Sequence, residues 1–126
     1  MIVADASAYL EFLLDESPDP ASRNLDDEIA APELLFAEIA SGLARAVHQV
    51  AISDEHAAFL LEEVLTASIQ VTSMLALVSR AFELRSNLGL YDACCVALAE
   101  QLECGIVTAD QRLASSPGLT VPVTLV

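Results

Sequence analysis

Short β-type runs alternate along this chain with longer stretches of helical periodicity, and that alternation constrains the fold most. The strand segments are Ile2-Val3-Ala4, Ile29-Ala30-Ala31, Ser68-Ile69-Gln70-Val71-Thr72, Ile106-Val107-Thr108 and residues 119–123. Segments 8–14, 32–50, 75–85 and 91–102 carry helical patterns between them, as does one starting at Ser53-Asp54-Glu55. The order predicts an α/β layer fold with a mostly parallel central sheet flanked by helices. A chain of 126 residues accommodates one such core, so residues 1–126 are expected to form a single domain.

Local signals refine the elements. Asp19-Pro20 pairs an N-cap with a proline at the first helical position and predicts a short helix over 21–25. Pro32 is expected to open a long helix with Leu35, Ile39, Leu43 and Val47 on one stripe. Ser53 caps the next, whose buried face is Leu60, Leu61, Val64 and Leu65. Gly89 suits a left-handed C-cap, and residues 110–114 a helical turn. The helix over 91–102 is apolar nearly all round, so it is expected to be central.

Charge narrows the chemistry. Nineteen acids against five bases give −14, and every base is an arginine. Without a lysine there is no P-loop and no Schiff-base catalysis, and receiver-type or haloacid-dehalogenase-type sites lose their usual cation. The net charge excludes broad electrostatic attraction to nucleic acid, so any such contact must be local. Hydrophobic residues make up 55% of the chain, yet acids or polar residues interrupt the longest apolar runs well before the ~20 residues a bilayer span needs. With no basic export segment at the start, a soluble cytoplasmic protein without membrane contact is expected. Cys94, Cys95 and Cys104 lack metal-type spacing and are expected to be reduced core thiols. His48 and His56 fall in helical segments remote from every motif below and are expected to be exposed or structural.

Two buried strands run directly into acids, at Ala4-Asp5 and Thr108-Ala109-Asp110. In open α/β sheets ligands bind beyond the carboxyl ends of the strands, so parallel neighbours would aim Asp5 and Asp110 at one crevice; alone, each is equally an ordinary helix cap. Asp92 lies in the first turn of the apolar helix, where a buried carboxylate is costly unless paired or bound to metal. Glu38 lies roughly −60° from Leu35 on the helical wheel, at the border of the apolar stripe. Gly42, one turn on, either leaves room beside Glu38 for an ion or substrate or serves close helix packing.

The segments Val3-Ala4-Asp5-Ala6-Ser7-Ala8, Pro32 to Glu38, Leu90-Tyr91-Asp92-Ala93 with Ala97-Leu98-Ala99, and Val107-Thr108-Ala109-Asp110-Gln111-Arg112-Leu113 together resemble a PIN domain, nearest to the VapC-type toxins of prokaryotic toxin–antitoxin pairs. The resemblance runs from residue 2 to about residue 114. It implies a three-layer α/β/α PIN-like fold and a metal-dependent endoribonuclease with Mg²⁺, or Mn²⁺, held by acids. It also implies RNA as substrate, a cognate VapB-like antitoxin as partner and a homodimer. On that resemblance Asp5, Glu38, Asp92 and Asp110 are the catalytic and metal-binding residues, while Ser7 and Thr108 match hydroxyl positions near the metal. Ser41 stands where such sequences often carry Asn, which puts one polar supporting contact in doubt. Arg112 and Arg85 are candidates for RNA phosphate contact. Oxygen ligands suit a hard divalent cation, and metal-assisted hydrolysis needs no His or Lys base. The rival readings are a catalytically weak PIN-like interaction module, acting through dimerisation or partner binding, and a metal-dependent phosphatase.

Overall fold

Successive residues of a strand face opposite sides of a sheet, and in the computed structural model that alternation divides the core in two. The structure describes residues 1–15 and 28–126; the helix expected over 21–25 lies outside them. Val3, Ala30 and Ile106 point to one face, where Leu77, Ala81, residues 93–99 and Leu113 cover them. Ala4, Ala31 and Val107 point to the other, against Tyr9, Leu35, Ile39, Leu43, Leu60 and Val64. The result is the three-layer α/β/α architecture.

The elements run β1 (Ile2–Ala4), α1 (Ala6–Leu14), β2 (Ile29–Pro32), α2 (Leu34–His48), α3 (Asp54–Thr66), β3 (Ile69–Thr72), α4 (Met74–Glu83), α5 (Leu90–Leu102), β4 (Gly105–Thr108), α6 (Gln111–Ala114) and β5 (Val123–Leu125). The sheet order is β3-β2-β1-β4-β5, and every pairing is parallel. The chain builds outward from β1 through β2 to β3, then returns to β4 on the other side, so a topological switch point lies between β1 and β4. Among the described residues no helix is long and apolar enough to cross a membrane.

Four local expectations are corrected. Pro32 ends β2 in register with Thr72 instead of opening the helix; Glu33 N–H continues the ladder to the Thr72 carbonyl before α2 begins at Leu34. Gly89 is not a left-handed C-cap: at φ −57° it is the N-cap of α5, its carbonyl accepting the Ala93 N–H. The final strand lies at Val123–Leu125, beyond the expected 119–123, because Pro122 has no N–H and enters the ladder only by accepting from Ile106. Leu65, expected on the buried face of α3, is 55% exposed, while Leu60 and Val64 are buried. The Ser53 cap is present, its hydroxyl accepting the His56 N–H at 3.1 Å. His48 and His56 are exposed, as expected.

Gly42 serves packing, not ligand space. A Cβ there would stand 2.9 Å from Leu10 Cδ2 and 3.2 Å from its Cγ, so the missing side chain leaves the space that Leu10 of α1 fills against α2. Gly42→Val is expected to destabilise the protein by about 2 kcal/mol through overpacking, and Leu10→Ala to relieve at least half of that cost in the double variant. Urea unfolding of the four proteins measures the coupling; an unchanged cost in the Leu10→Ala background would refute this packing role.

Candidate active site

β1 and β4 pair side by side, Ala4 opposite Val107, so the residues that follow them leave the sheet at the same edge. Asp5 N–H extends the pairing to the Val107 carbonyl at 3.0 Å. Asp5 is the N-cap of α1 by position, but its carboxylate makes no cap bond. Its Oδ2 instead accepts from the Ser7 hydroxyl at 2.5 Å and the Thr108 hydroxyl at 2.8 Å. Each hydroxyl oxygen also accepts a backbone N–H across the strand ends: Ser7 Oγ from Ala109, Thr108 Oγ1 from Asp110, both at 3.0 Å. Both hydroxyl protons are thus committed to Asp5, and the carboxylate's outer oxygen Oδ1 has no hydrogen-bond partner among the described residues.

Three further acids approach from separate elements. Glu38 comes from α2, Asp92 from the first turn of α5, and Asp110 from the N-cap of α6. They share with Asp5 and Ser7 a cleft of about 270 Å³, whose rim is completed by Gly89, Leu90, Tyr91 and Arg112. All four predicted acids are therefore brought together, with one of the two predicted arginines. Arg85 is not: at the end of α4 its guanidinium donates to the Phe82 carbonyl at 2.7 Å and stacks 4.0 Å over the Phe82 ring. Nor is Ser41, which sits roughly −120° from Leu35 on the helical wheel and is exposed outside the cleft.

The electrostatics of the four acids differ. Burial, reinforced by the charges of Asp5 and Asp92, lifts the Glu38 carboxyl to about 7. Asp92 is raised chiefly by burial, then by Asp5 and Asp110, with Arg112 opposing. Asp110 is lowered, first by hydrogen bonds from the Arg112 side chain and then from its backbone. Asp110 performs the capping expected of it: Oδ1 accepts the Arg112 N–H at 2.8 Å, and the Arg112 guanidinium lies 3.3 Å from Oδ2. Cys95, buried against this cluster, has its thiol pushed well up by burial and by the neighbouring acids, so it stays protonated.

Carboxylate oxygens are the donors a hard divalent cation takes. Among the described residues no three His, Cys, Asp or Glu side chains stand close enough to surround one ion. An ion held here would take one or two carboxylates directly and keep waters in its remaining positions. Tyr91, 63% exposed on the rim, went unassigned in the sequence; its signal was an aromatic residue immediately before the acid at a helix start.

Comparison with known proteins agrees with this geometry. The sequence model described as the PIN domain matches residues 2–118. The chain is 38% identical over 128 residues to ribonuclease VapC9 of Mycobacterium tuberculosis, covering 100% of this chain and 98% of that protein. The fold is similar to that of PAE2754 from Pyrobaculum aerophilum, with a TM-score of 0.68 at 22% identity over 97% of this chain and 81% of that one. A toxin–antitoxin complex from Klebsiella pneumoniae contains a chain similar at TM-score 0.63 and 17% identity, over 98% of this chain and 96% of that one.

The raised Glu38 carboxyl has a consequence for stability. Because it binds its proton more tightly folded than unfolded, its contribution is fully present below about pH 4.5 and is lost as the pH rises through about 7. Glu38→Gln, which cannot ionise, is expected to stabilise the metal-free protein at pH 8 and to leave it unchanged at pH 4.5. Discounted for the solvent that reaches this half-buried side chain, the gain is on the order of 1 kcal/mol, or about 3–6 °C in melting temperature. Thermal melts in chelator at both pH values measure it; an equal difference at the two would refute the assignment.

Proposed function

The chain belongs to the PIN domain family, and from that premise we propose that it is an Mg²⁺-dependent endoribonuclease toxin, with Mn²⁺ as the alternative ion, acting in the cytoplasm and held inactive by a cognate VapB-like antitoxin. The observation that carries the reading is the convergence of Asp5, Glu38, Asp92 and Asp110 on one cleft at the β1–β4 switch point, from four separate elements. Full-length similarity to a protein named as a ribonuclease supports the reaction class.

In this reading Asp5, Glu38 and Asp92 hold the ion directly or through water, and Asp110 completes the set. When bound, the ion supplies a more acidic water and charge compensation for the phosphate. Ser7 and Thr108 fix the Asp5 carboxylate so that Oδ1 faces the cleft. Arg112, on the rim with its side chain 92% exposed, meets a phosphate oxygen of the RNA in exchange for Asp110. At −14 the chain attracts a cationic partner segment, which accords with antitoxin control and with its similarity to a chain of the Klebsiella pneumoniae complex. A homodimer is proposed through α4, where Leu75, Val78 and Phe82 form an exposed apolar stripe.

One observation favours the non-catalytic interaction module: Asp110 is already engaged by Arg112, and no three donors meet at one point. Asp92→Asn separates the two, because the Asp92 carboxylate has no hydrogen-bond partner among the described residues and its removal relieves repulsion. The variant is expected to lose RNA cleavage at least ~100-fold while its melting temperature in chelator stays equal or rises. In the wild type, free Mg²⁺ at ten times its dissociation constant should add about 1.4 kcal/mol of stability. Cleavage by Asp92→Asn at the wild-type rate, or calorimetric melts identical in chelator and millimolar Mg²⁺, would support the interaction module instead.

A further inference from the structure

α5 changes character within its first turn. Residues 93–99 are at most 5% exposed, and Asp92 turns inward toward the other acids, yet Leu90 is 43% and Tyr91 63% exposed. An aromatic ring this exposed beside a cluster of carboxylates adds little to the core. Its place is specific: Tyr91 and Glu38 border both the acid cleft and a narrow recess walled by Ala6, Pro32 and Cys95. No hydrogen bond to the phenol joins it to another described residue, so the ring stands on the rim untied.

The charge pattern explains why a ring is needed there. A polyanion approaching this cleft meets four acids and one cation, and that cation is paired with Asp110. Of the other described arginines, Arg80 is spent on Glu83 and Glu100 and Arg85 on the Phe82 carbonyl, while Arg45, in the last turn of α2, does not line the cleft. Phosphate contacts cannot supply most of the affinity under these conditions. Stacking a base on an aromatic face contributes roughly 1–3 kcal/mol without needing any positive charge. Resting on the nuclease reading above, we propose that the Tyr91 ring is the platform on which a nucleobase next to the cleaved phosphate stacks, positioning the strand over the acids. The contact is made by the ring face and not by the hydroxyl.

Two measurements test this. The chain has two tyrosines and no tryptophan, and Tyr9 is 7% exposed, so ring signals of ¹³C-tyrosine-labelled protein divide into one buried control and one probe. Titration with adenosine, a neutral nucleoside that the acids do not repel, should move the Tyr91 ring signals upfield and leave Tyr9 in place. On a synthetic oligoribonucleotide spanning a mapped cut, Tyr91→Leu should raise KM roughly 5- to 100-fold, change kcat less than about threefold and flatten base preference beside the cut, whereas Tyr91→Phe and Tyr91→Trp keep wild-type KM. A wild-type KM and base preference in Tyr91→Leu, a loss in Tyr91→Phe equal to that in Tyr91→Leu, or no Tyr91 shift with adenosine would each overturn the platform. Wild-type protein that cuts no RNA in Mg²⁺ or Mn²⁺ would overturn the nuclease reading, whatever adenosine does to the ring.

Discussion

Two hydroxyl protons aimed at one carboxylate oxygen hold the site together. Ser7 and Thr108 each spend their single proton on Asp5 Oδ2 and each accept a backbone N–H from the residues just past β4. The carboxylate at the end of one strand is thereby locked to the backbone at the end of its neighbour, a network with each hydrogen assigned. A buried Asp this close to other acids would otherwise turn to whatever donor it could find. With Oδ2 committed, Oδ1 is left without a hydrogen-bond partner among the described residues, on a residue that lines the cleft.

The fold supplies the place and the charges supply the tension. A switch point between β1 and β4 opens a crevice at the carboxyl edge of the sheet, and α2, α5 and α6 each deliver one acid to it. Burial and mutual repulsion raise Glu38 and Asp92, so the folded protein keeps these groups against its own electrostatic preference. Such local destabilisation marks sites whose compensation comes from outside the chain. Asp110 is the contrast: its capping bonds and Arg112 lower its carboxyl, so the chain itself supplies its countercharge.

Much of this was legible in sequence because the signals were local. The strands Ile2–Ala4 and Gly105–Thr108 announced themselves as apolar runs ending in acids, and the helix over 90–102 by its lack of polar interruption. What failed depended on partners distant in sequence. Pro32 looks like a helix start until Thr72 pairs with it, and Gly89 looks like a helix end until its carbonyl begins α5. Gly42 reads equally as ligand space or as a contact point, and only the position of Leu10 decides. The Ser7 and Thr108 hydroxyls could be placed near the site, but that both donate to the same Asp5 oxygen is a matter of rotamers. Ser41 shows the limit of carrying a family position onto a helix, because side-chain direction is set by the wheel, and at this position it points to solvent.

A chain with nineteen acids and no lysine has surrendered the usual means of gripping nucleic acid. The same composition that makes the cleft receptive to a cation makes its surroundings repel a polyanion, and these two effects scale together. On the nuclease reading, selectivity between substrates comes from contacts that do not depend on charge, which means shape and the proposed stacking at the rim. At the rim the structure leaves Leu90 and Tyr91 uncovered next to Asp92. Placing the exposed ring one residue before the inward acid, on a helix whose remaining length is buried, ties its position to that of the carboxylate with the rigidity of a single helical turn.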